Sequence, residues 1–127
     1  MEMIKVLLAN EPRMMRDLVS KMISLQEDME VVGEVYSTFG IPFALQDTGA
    51  NVIVLSARGD HMPDAVDPLV ATYPYLTVLG LAATGAWAYI DRRGRVRQEF
   101  VDPSMEEILA ALRRAVRLSA DPSEPSE

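Results

Sequence analysis

The chain has no cysteine and a single histidine, His61, among its 127 residues. Without cysteine there is no disulfide framework, no thiolate nucleophile and no cysteine-bound zinc. Asp60 and Asp64 lie near His61, but a lone histidine in a polar segment is usually solvated, so we predict no metal site. P-loop and GxGxxG patterns are also absent, and no nucleotide or other cofactor is expected.

Long apolar runs are absent as well, and those present are far shorter than the roughly 20 residues that cross a bilayer. Residues 1–5 contain no basic segment leading into an apolar one. We therefore predict no secretory signal and no membrane association, and we expect a cytoplasmic protein. The net charge of −7 disfavours nonspecific binding to nucleic acid or to anionic membranes.

Strand-like and helix-like segments alternate through the first two thirds of the chain. Short apolar runs typical of buried strands cover residues 4–9, 30–36, 51–57 and 76–82. Helical patterns lie between them, at residues 12–25, 41–47 and 62–73. This alternation predicts an α/β doubly wound sheet with four parallel strands joined by right-handed crossovers. In the first helix, the residues expected to face the core are Met15, Leu18, Val19, Met22 and Leu25, with Arg16 on the other side.

The pattern changes after the fourth strand, because too few residues follow for a crossover helix. Segments 87–91 and 95–102 flank Arg92-Arg93-Gly94, and a three-residue connection ending in glycine is common in hairpins. We therefore predict a C-terminal antiparallel β-hairpin, in a register that pairs Tyr89 with Arg97.

A final helix is predicted from the spacing of Ser104 and Glu107, which is that of a capping box. The residues after it, 120–127, are polar and contain prolines, a composition typical of disorder. The chain is therefore predicted to form one domain, residues 1–119, followed by a disordered tail.

The run IKVLLANEPRMMRDLVSKMISLQEDMEVVGEVYS, followed by NVIVLSA and YPYLTVLGLAA, resembles the receiver domain of bacterial two-component response regulators. The resemblance covers roughly residues 3–84 and returns in the last helix. It implies a flavodoxin-like sheet in which the hairpin replaces the usual fourth helix and fifth strand. It looks most like the branch of receivers that carry a helix-turn-helix effector, but the residues after the receiver-like part predict no helix-turn-helix, so we expect no such DNA-binding effector.

The resemblance also locates the phosphorylation pocket. The two acidic residues that hold magnesium in receivers match Asn10 and Glu11, and the phosphoacceptor aspartate matches Ser56. The hydroxyl residue after the fourth strand matches Ala82, and the lysine after the fifth falls near Asp91. With one carboxylate left, an oxygen-rich magnesium site is not expected. Ser56 lacks the glycines of a nucleophile elbow, so we predict a degenerate pocket and no enzyme activity.

The hairpin is expected to form a sheet edge that another surface covers. Aromatic and arginine residues are enriched at protein interfaces. The predicted interaction residues are Trp87, Tyr89, Arg95, Arg97 and Phe100. Receivers dimerise through their last strand and helix, so the resemblance implies a homodimer that uses the hairpin and the final helix.

The leading hypothesis is thus a pseudo-receiver, a signalling module that binds a protein partner without being phosphorylated. A second hypothesis is a small-ligand sensor or cryptic enzyme that uses the cleft near Asn10, Glu11, Ser56 and Arg58. A third is a nucleic-acid binder that uses the hairpin arginines Arg92, Arg93, Arg95 and Arg97. The negative net charge makes the third the weakest of them.

Overall fold

A computed structural model describes residues 3–10, 13–57, 66–83, 86–92 and 97–120 of the chain. Its strands are β1 (Ile4–Leu8), β2 (Met29–Glu34), β3 (Val52–Ala57), β4 (Thr77–Ala82), β5 (Trp87–Arg92) and β6 (Gln98–Val101). Its helices are α1 (Arg13–Ser24), α2 (Ile41–Thr48), α3 (Val66–Thr72) and α4 (Met105–Ala120). A short 3₁₀ helix, Thr38–Gly40, leads into α2.

The strands form one mixed sheet in the order β2-β1-β3-β4-β5-β6. The first four in this order are parallel to one another, which confirms the predicted α/β class and its four parallel strands. β5 is antiparallel to β4, and β6 is antiparallel to β5. The predicted C-terminal hairpin is therefore present as an extension of the sheet.

Helices cover both faces of this sheet. On one face, α1 and α4 pack against strand residues such as Val6 and Val54. On the other, α2 and α3 pack against the intervening residues, such as Leu7 and Ile53. Successive strand residues point to opposite faces, so the central strands are buried on both sides. This double burial explains their nearly continuous apolar sequence.

The core-facing side of α1 differs from the one predicted. Its buried residues are Arg16, Val19 and Ile23, whereas Leu18 and Leu25 are 48% and 68% exposed. The prediction was wrong for Arg16, Leu18 and Leu25. The prediction assumed that arginine faces solvent. The long apolar stem of arginine allows it to be buried where its guanidinium finds partners.

The hairpin register also differs from the predicted one. Ile90 pairs with Gln98, and Tyr89 pairs with Glu99 rather than with Arg97. The prediction was wrong by two residues, because β6 begins only at Gln98 and the connection exceeds three residues. A two-residue shift preserves the side-chain alternation, so Ala88 and Ile90 remain together on one face.

The N-terminal ends of α3 and α4 agree with the signals in their sequences. Glu107 donates its backbone N–H to Ser104 Oγ at 3.1 Å, and its carboxylate accepts the Ser104 N–H at 3.1 Å. The capping box is confirmed. Because α3 begins at Val66, Pro68 lies in its first turn, where proline is tolerated.

In the described ranges of the chain, no helix is both long and apolar enough to span a membrane. The predicted tail lies outside these ranges, apart from residue 120.

Arg113 connects α4 to the loop between α1 and β2. Its Nε and Nη2 donate to the two carboxylate oxygens of Asp28 at 2.7 and 3.0 Å. Nη2 also donates to Gln26 Oε1 at 2.6 Å. The hydrogen bonds from Arg113 hold the pKa of Asp28 below its usual value. Such two-pronged, charge-assisted bonds are among the stronger polar contacts in proteins.

Asp28→Asn is expected to lower the free energy of unfolding at pH 7 by about 1 kcal/mol. Because the pKa of Asp28 is lower in the folded state, its contribution is complete above the unfolded value, near 3.9. It is lost as the pH falls through the folded value. In urea unfolding, the difference in unfolding free energy between wild type and variant should therefore disappear as the pH falls below about 4.

Asp17→Asn is the matched control, since Asp17, among the described residues, forms an exposed pair with Arg13 at 3.8 Å and no other ion pair. This variant should stay within about 0.5 kcal/mol of wild type. A stability gap for Asp28→Asn that does not change between neutral and strongly acidic pH would contradict the role given to the Asp28 charge.

Candidate functional site

Three of the four residues of the predicted degenerate pocket lie at the carboxyl edge of the sheet. Asn10 follows β1, Ser56 is the penultimate residue of β3, and Ala82 ends β4. The fourth, Glu11, lies outside the described residues, as does Arg58 of the proposed cleft. The three described positions carry an amide, a hydroxyl and a methyl group. None of them supplies the carboxylate that phosphoryl transfer to a receiver requires.

The side chain of Asn10 is enclosed by the protein. None of its surface is exposed, and neither amide atom has a hydrogen-bond partner among the described residues. A buried, unpaired amide costs free energy. Full burial also keeps solvent cations away from this amide, and the amide contributes no charge to attract one.

The last residues of β5 do not reach the predicted pocket. Asp91, aligned with the receiver lysine, pairs with Val78 near the start of β4. Ala82 lies at the opposite end of the same strand. The alignment of Asp91 with the lysine position was therefore wrong, because β5 runs antiparallel and brings its beginning, not its end, to the carboxyl edge.

Asp91 has a structural partner instead. Its side chain is 9% exposed, and Arg97 donates from Nε and Nη2 to Asp91 Oδ2 at 3.3 and 3.2 Å. Arg97 Nη2 also lies 3.7 Å from Asp67 in α3. These contacts join the hairpin to α3, so the guanidinium of Arg97 is engaged within the fold rather than free to bind phosphate.

Tyr89 belongs to the core rather than to an exposed face of the hairpin. It is 0% exposed and lies opposite Gly80 of β4, where its ring fills the space that a Cβ of Gly80 would need. Burial raises the pKa of its phenol. The prediction of Tyr89 as an interaction residue was therefore wrong. Trp87 and Phe100 are half-buried, and Arg95 lies outside the described residues.

A groove lies beside the carboxyl edge of the sheet, at the end of β2. Its cavity volume is about 760 Å³, and the side chains lining it include Glu34, Tyr36, Phe43 and Asp47. Tyr36 is 73% exposed and Phe43 is 78% exposed. Because residues four apart share a helix face, α2 presents Phe43 and Asp47 on the same side. We call this surface the β2–α2 groove.

Arg16 connects the β2–α2 groove to the end of β1. Its guanidinium carbon lies 4.6 Å from the centre of the Tyr36 ring, and its Nη1 is 3.7 Å from Glu34. Its Nε donates to the backbone carbonyl of Asn10 at 3.0 Å. With 5% of its side chain exposed, Arg16 contacts Tyr36 and Glu34 from inside the protein.

The sequence interpretation did not find the β2–α2 groove. Phe43 lies outside the set formed by Ile41 and Leu45 that α2 buries. A single exposed apolar residue is ordinary, and a binding surface is indicated only where several lie together. Tyr36 and Glu34 join Phe43 only through the tertiary structure.

Within the described ranges, no group of three or more histidine, aspartate or glutamate side chains is placed to hold a metal ion. A scan against protein-family models, a search of curated proteins and a search of solved structures each find no match. The resemblance to receiver domains therefore rests on the order and spacing of the sequence segments quoted above.

Proposed function

We propose that the chain is a pseudo-receiver that works by binding proteins, including a second copy of itself, and not by accepting a phosphoryl group. The observation that carries the proposal is the carboxyl edge of the sheet. There Asn10 is enclosed, and the strand-end positions at Ser56 and Ala82 carry no carboxylate. Receiver phosphorylation needs a carboxylate nucleophile and a magnesium ion to neutralise charge.

The strand order supports a receiver-like, doubly wound fold. The order β2-β1-β3-β4-β5 is the one typical of flavodoxin-like sheets. Helices on both faces of the sheet agree with that fold class. The antiparallel direction of β5 departs from it, as expected for a receiver whose last crossover helix has been replaced by a hairpin.

Incubation with acetyl phosphate and magnesium is expected to leave the protein unmodified at neutral pH. A receiver domain with an intact pocket, treated in parallel, should gain one phosphoryl group by intact-protein mass spectrometry. Peptide mapping then separates surface labelling from pocket labelling. A phosphoryl group on Glu11 or Ser56 would contradict the proposal.

The outward face of α4 supports self-association. It carries Glu106 near the start, Ala110 in the middle, and Arg114 and Arg117 near the end, all exposed. Two copies of α4 packed antiparallel about a two-fold axis would place Glu106 opposite Arg117 of the other copy, twice. Such a self-complementary surface is what a two-fold homodimer requires.

Glu106→Arg is expected to weaken self-association about tenfold, because it places like charges opposite each other at two symmetric positions. The double variant Glu106→Arg/Arg117→Glu exchanges the two charges and should restore the wild-type constant to within about threefold. Sedimentation equilibrium at low salt measures all three proteins.

Asp17→Arg, a charge reversal of an exposed residue on α1, serves as control and should leave the dimer constant unchanged. Two results would count against the interface. One is a double variant as weak as the single one, and the other is a wild-type chain that remains monomeric at high micromolar concentration.

The ligand-sensor hypothesis has one observation in its favour, the buried amide of Asn10, which has no hydrogen-bond partner among the described residues. A bound polar ligand would satisfy that amide. However, Asn10 has no exposed surface, so a ligand would have to open the fold to reach it. The accessible groove lies beside β2 instead, and for this reason we favour protein binding.

A further inference from the structure

The β2–α2 groove combines aromatic and acidic side chains. Tyr36 and Phe43 supply largely exposed rings, and Glu34 and Asp47 supply carboxylates. Neither lysine nor arginine is among the described residues that line it. Aromatic faces and carboxylates together attract cations, the first through the ring quadrupole and the second through charge.

The internal contact of Arg16 illustrates this chemistry. One guanidinium already lies over Tyr36 and near Glu34, from the buried side. The carboxylate of Asp47, by contrast, makes no ion pair with any residue that the structure describes. Among the residues that the structure describes, the carboxylate at the outer part of the groove, beside Phe43, thus has no cationic partner, in a protein whose net charge is −7.

We propose that the β2–α2 groove binds an arginine-bearing segment of a protein partner. A guanidinium stacks flat on an aromatic ring and still donates sideways to a carboxylate, which a lysine ammonium does less well. Phosphate-rich partners such as nucleic acid or anionic membranes are disfavoured, because the carboxylate of Asp47 has no cationic partner among the described residues and Glu34 adds a second carboxylate beside it.

The shape of the groove favours a protein segment over a small molecule. Sites for small ligands bury most of the ligand surface, whereas this groove is shallow and largely open to solvent. A single cation in such a place gains little affinity, since exposed cation–π contacts and exposed ion pairs are each weak. A partner segment adds contacts on either side of its arginine and so compensates for the openness.

This proposal is independent of the self-association through α4, which involves another element of the fold. Its probe is a capped pentapeptide with two arginines separated by glycines. Titrated into ¹⁵N-labelled protein, it should shift the amide signals of residues 34–47 and saturate. The lysine analogue should bind roughly threefold more weakly, and the uncharged citrulline analogue should produce no saturable shift.

Tyr36→Ala and Asp47→Asn should each weaken binding of the arginine peptide roughly threefold. Tyr75→Ala and Asp17→Asn are the matched controls, since Tyr75 is 74% exposed at the other end of the sheet and Asp17 is exposed on α1. Neither control should change the affinity. Phe43→Ala is a second test of the groove, because it removes an aromatic ring and leaves the contact between Tyr36 and Arg16 unchanged.

Three outcomes would overturn the proposal. The first is no saturable shift at millimolar peptide. The second is equal weakening by the control variants, which would indicate nonspecific attraction to an acidic protein. The third is binding of free arginine amide as tightly as the pentapeptide, which would make the groove a small-molecule site.

Discussion

Gly80→Ala is expected to lower the free energy of unfolding by about 3 kcal/mol, the upper part of the range for overpacked cores. Gly80 lies in β4 opposite Tyr89 of β5, and the Tyr89 ring occupies the position that the new methyl group would take. The ring is fully buried, so it cannot move aside into solvent. Thermal or urea unfolding followed by circular dichroism measures the loss.

Gly33→Ala provides the matched control within the same sheet. A Cβ at Gly33 would lie 3.3 Å from Leu7 Cδ1, the end of a flexible side chain. Because alanine also restricts the unfolded chain, this variant should remain within about 1 kcal/mol of wild type. If the two variants lose equal stability, the packing of Tyr89 on Gly80 is not the cause.

The second large effect is expected at Arg16. Arg16→Met preserves the apolar stem but removes the donor to the Asn10 carbonyl, the ion pair with Glu34 and the stacking on Tyr36. We expect a loss of about 2 kcal/mol, mainly because a buried carbonyl loses its hydrogen bond. The partly exposed carboxylate of Glu34 can be rehydrated and adds little.

Arg13→Met is the control for this variant, because the Arg13 side chain is 88% exposed and its loss should be nearly neutral. A second measurement separates local from global effects. Tyr36 should become more accessible in Arg16→Met, as seen in faster nitration by tetranitromethane. An Arg16→Met protein as stable as wild type would mean that Arg16 does not join β1 to β2.

The sequence was sufficient to predict the parallel strands, the hairpin and the start of α4. These depend on local signals: buried apolar runs, a segment too short for a helix, and a capping box at Ser104 and Glu107. Such signals extend over only a few residues, so they can be recognised without knowledge of the tertiary structure.

The errors concern contacts between distant segments. Arg16 was placed on the wrong side of α1, because its partners Asn10, Glu34 and Tyr36 come together only when β1 and β2 pair. Tyr89 was taken for a surface residue, since nothing local indicates that Gly80 leaves room for its ring. The β2–α2 groove was missed for the same reason.

Under the pseudo-receiver proposal, the direction of β5 bears on whether the protein could acquire receiver phosphorylation by mutation. Exchanging Ser56 for aspartate would supply a nucleophile in a single step. No exchange of side chains along β5 would bring the end of that strand to the pocket, because the end pairs with the start of β4. Placing a lysine there, at the end of a parallel strand, would require a crossover helix and a reversed strand, which is a change in chain path. Under that proposal, the antiparallel β5 prevents receiver phosphorylation from arising by substitution of side chains alone.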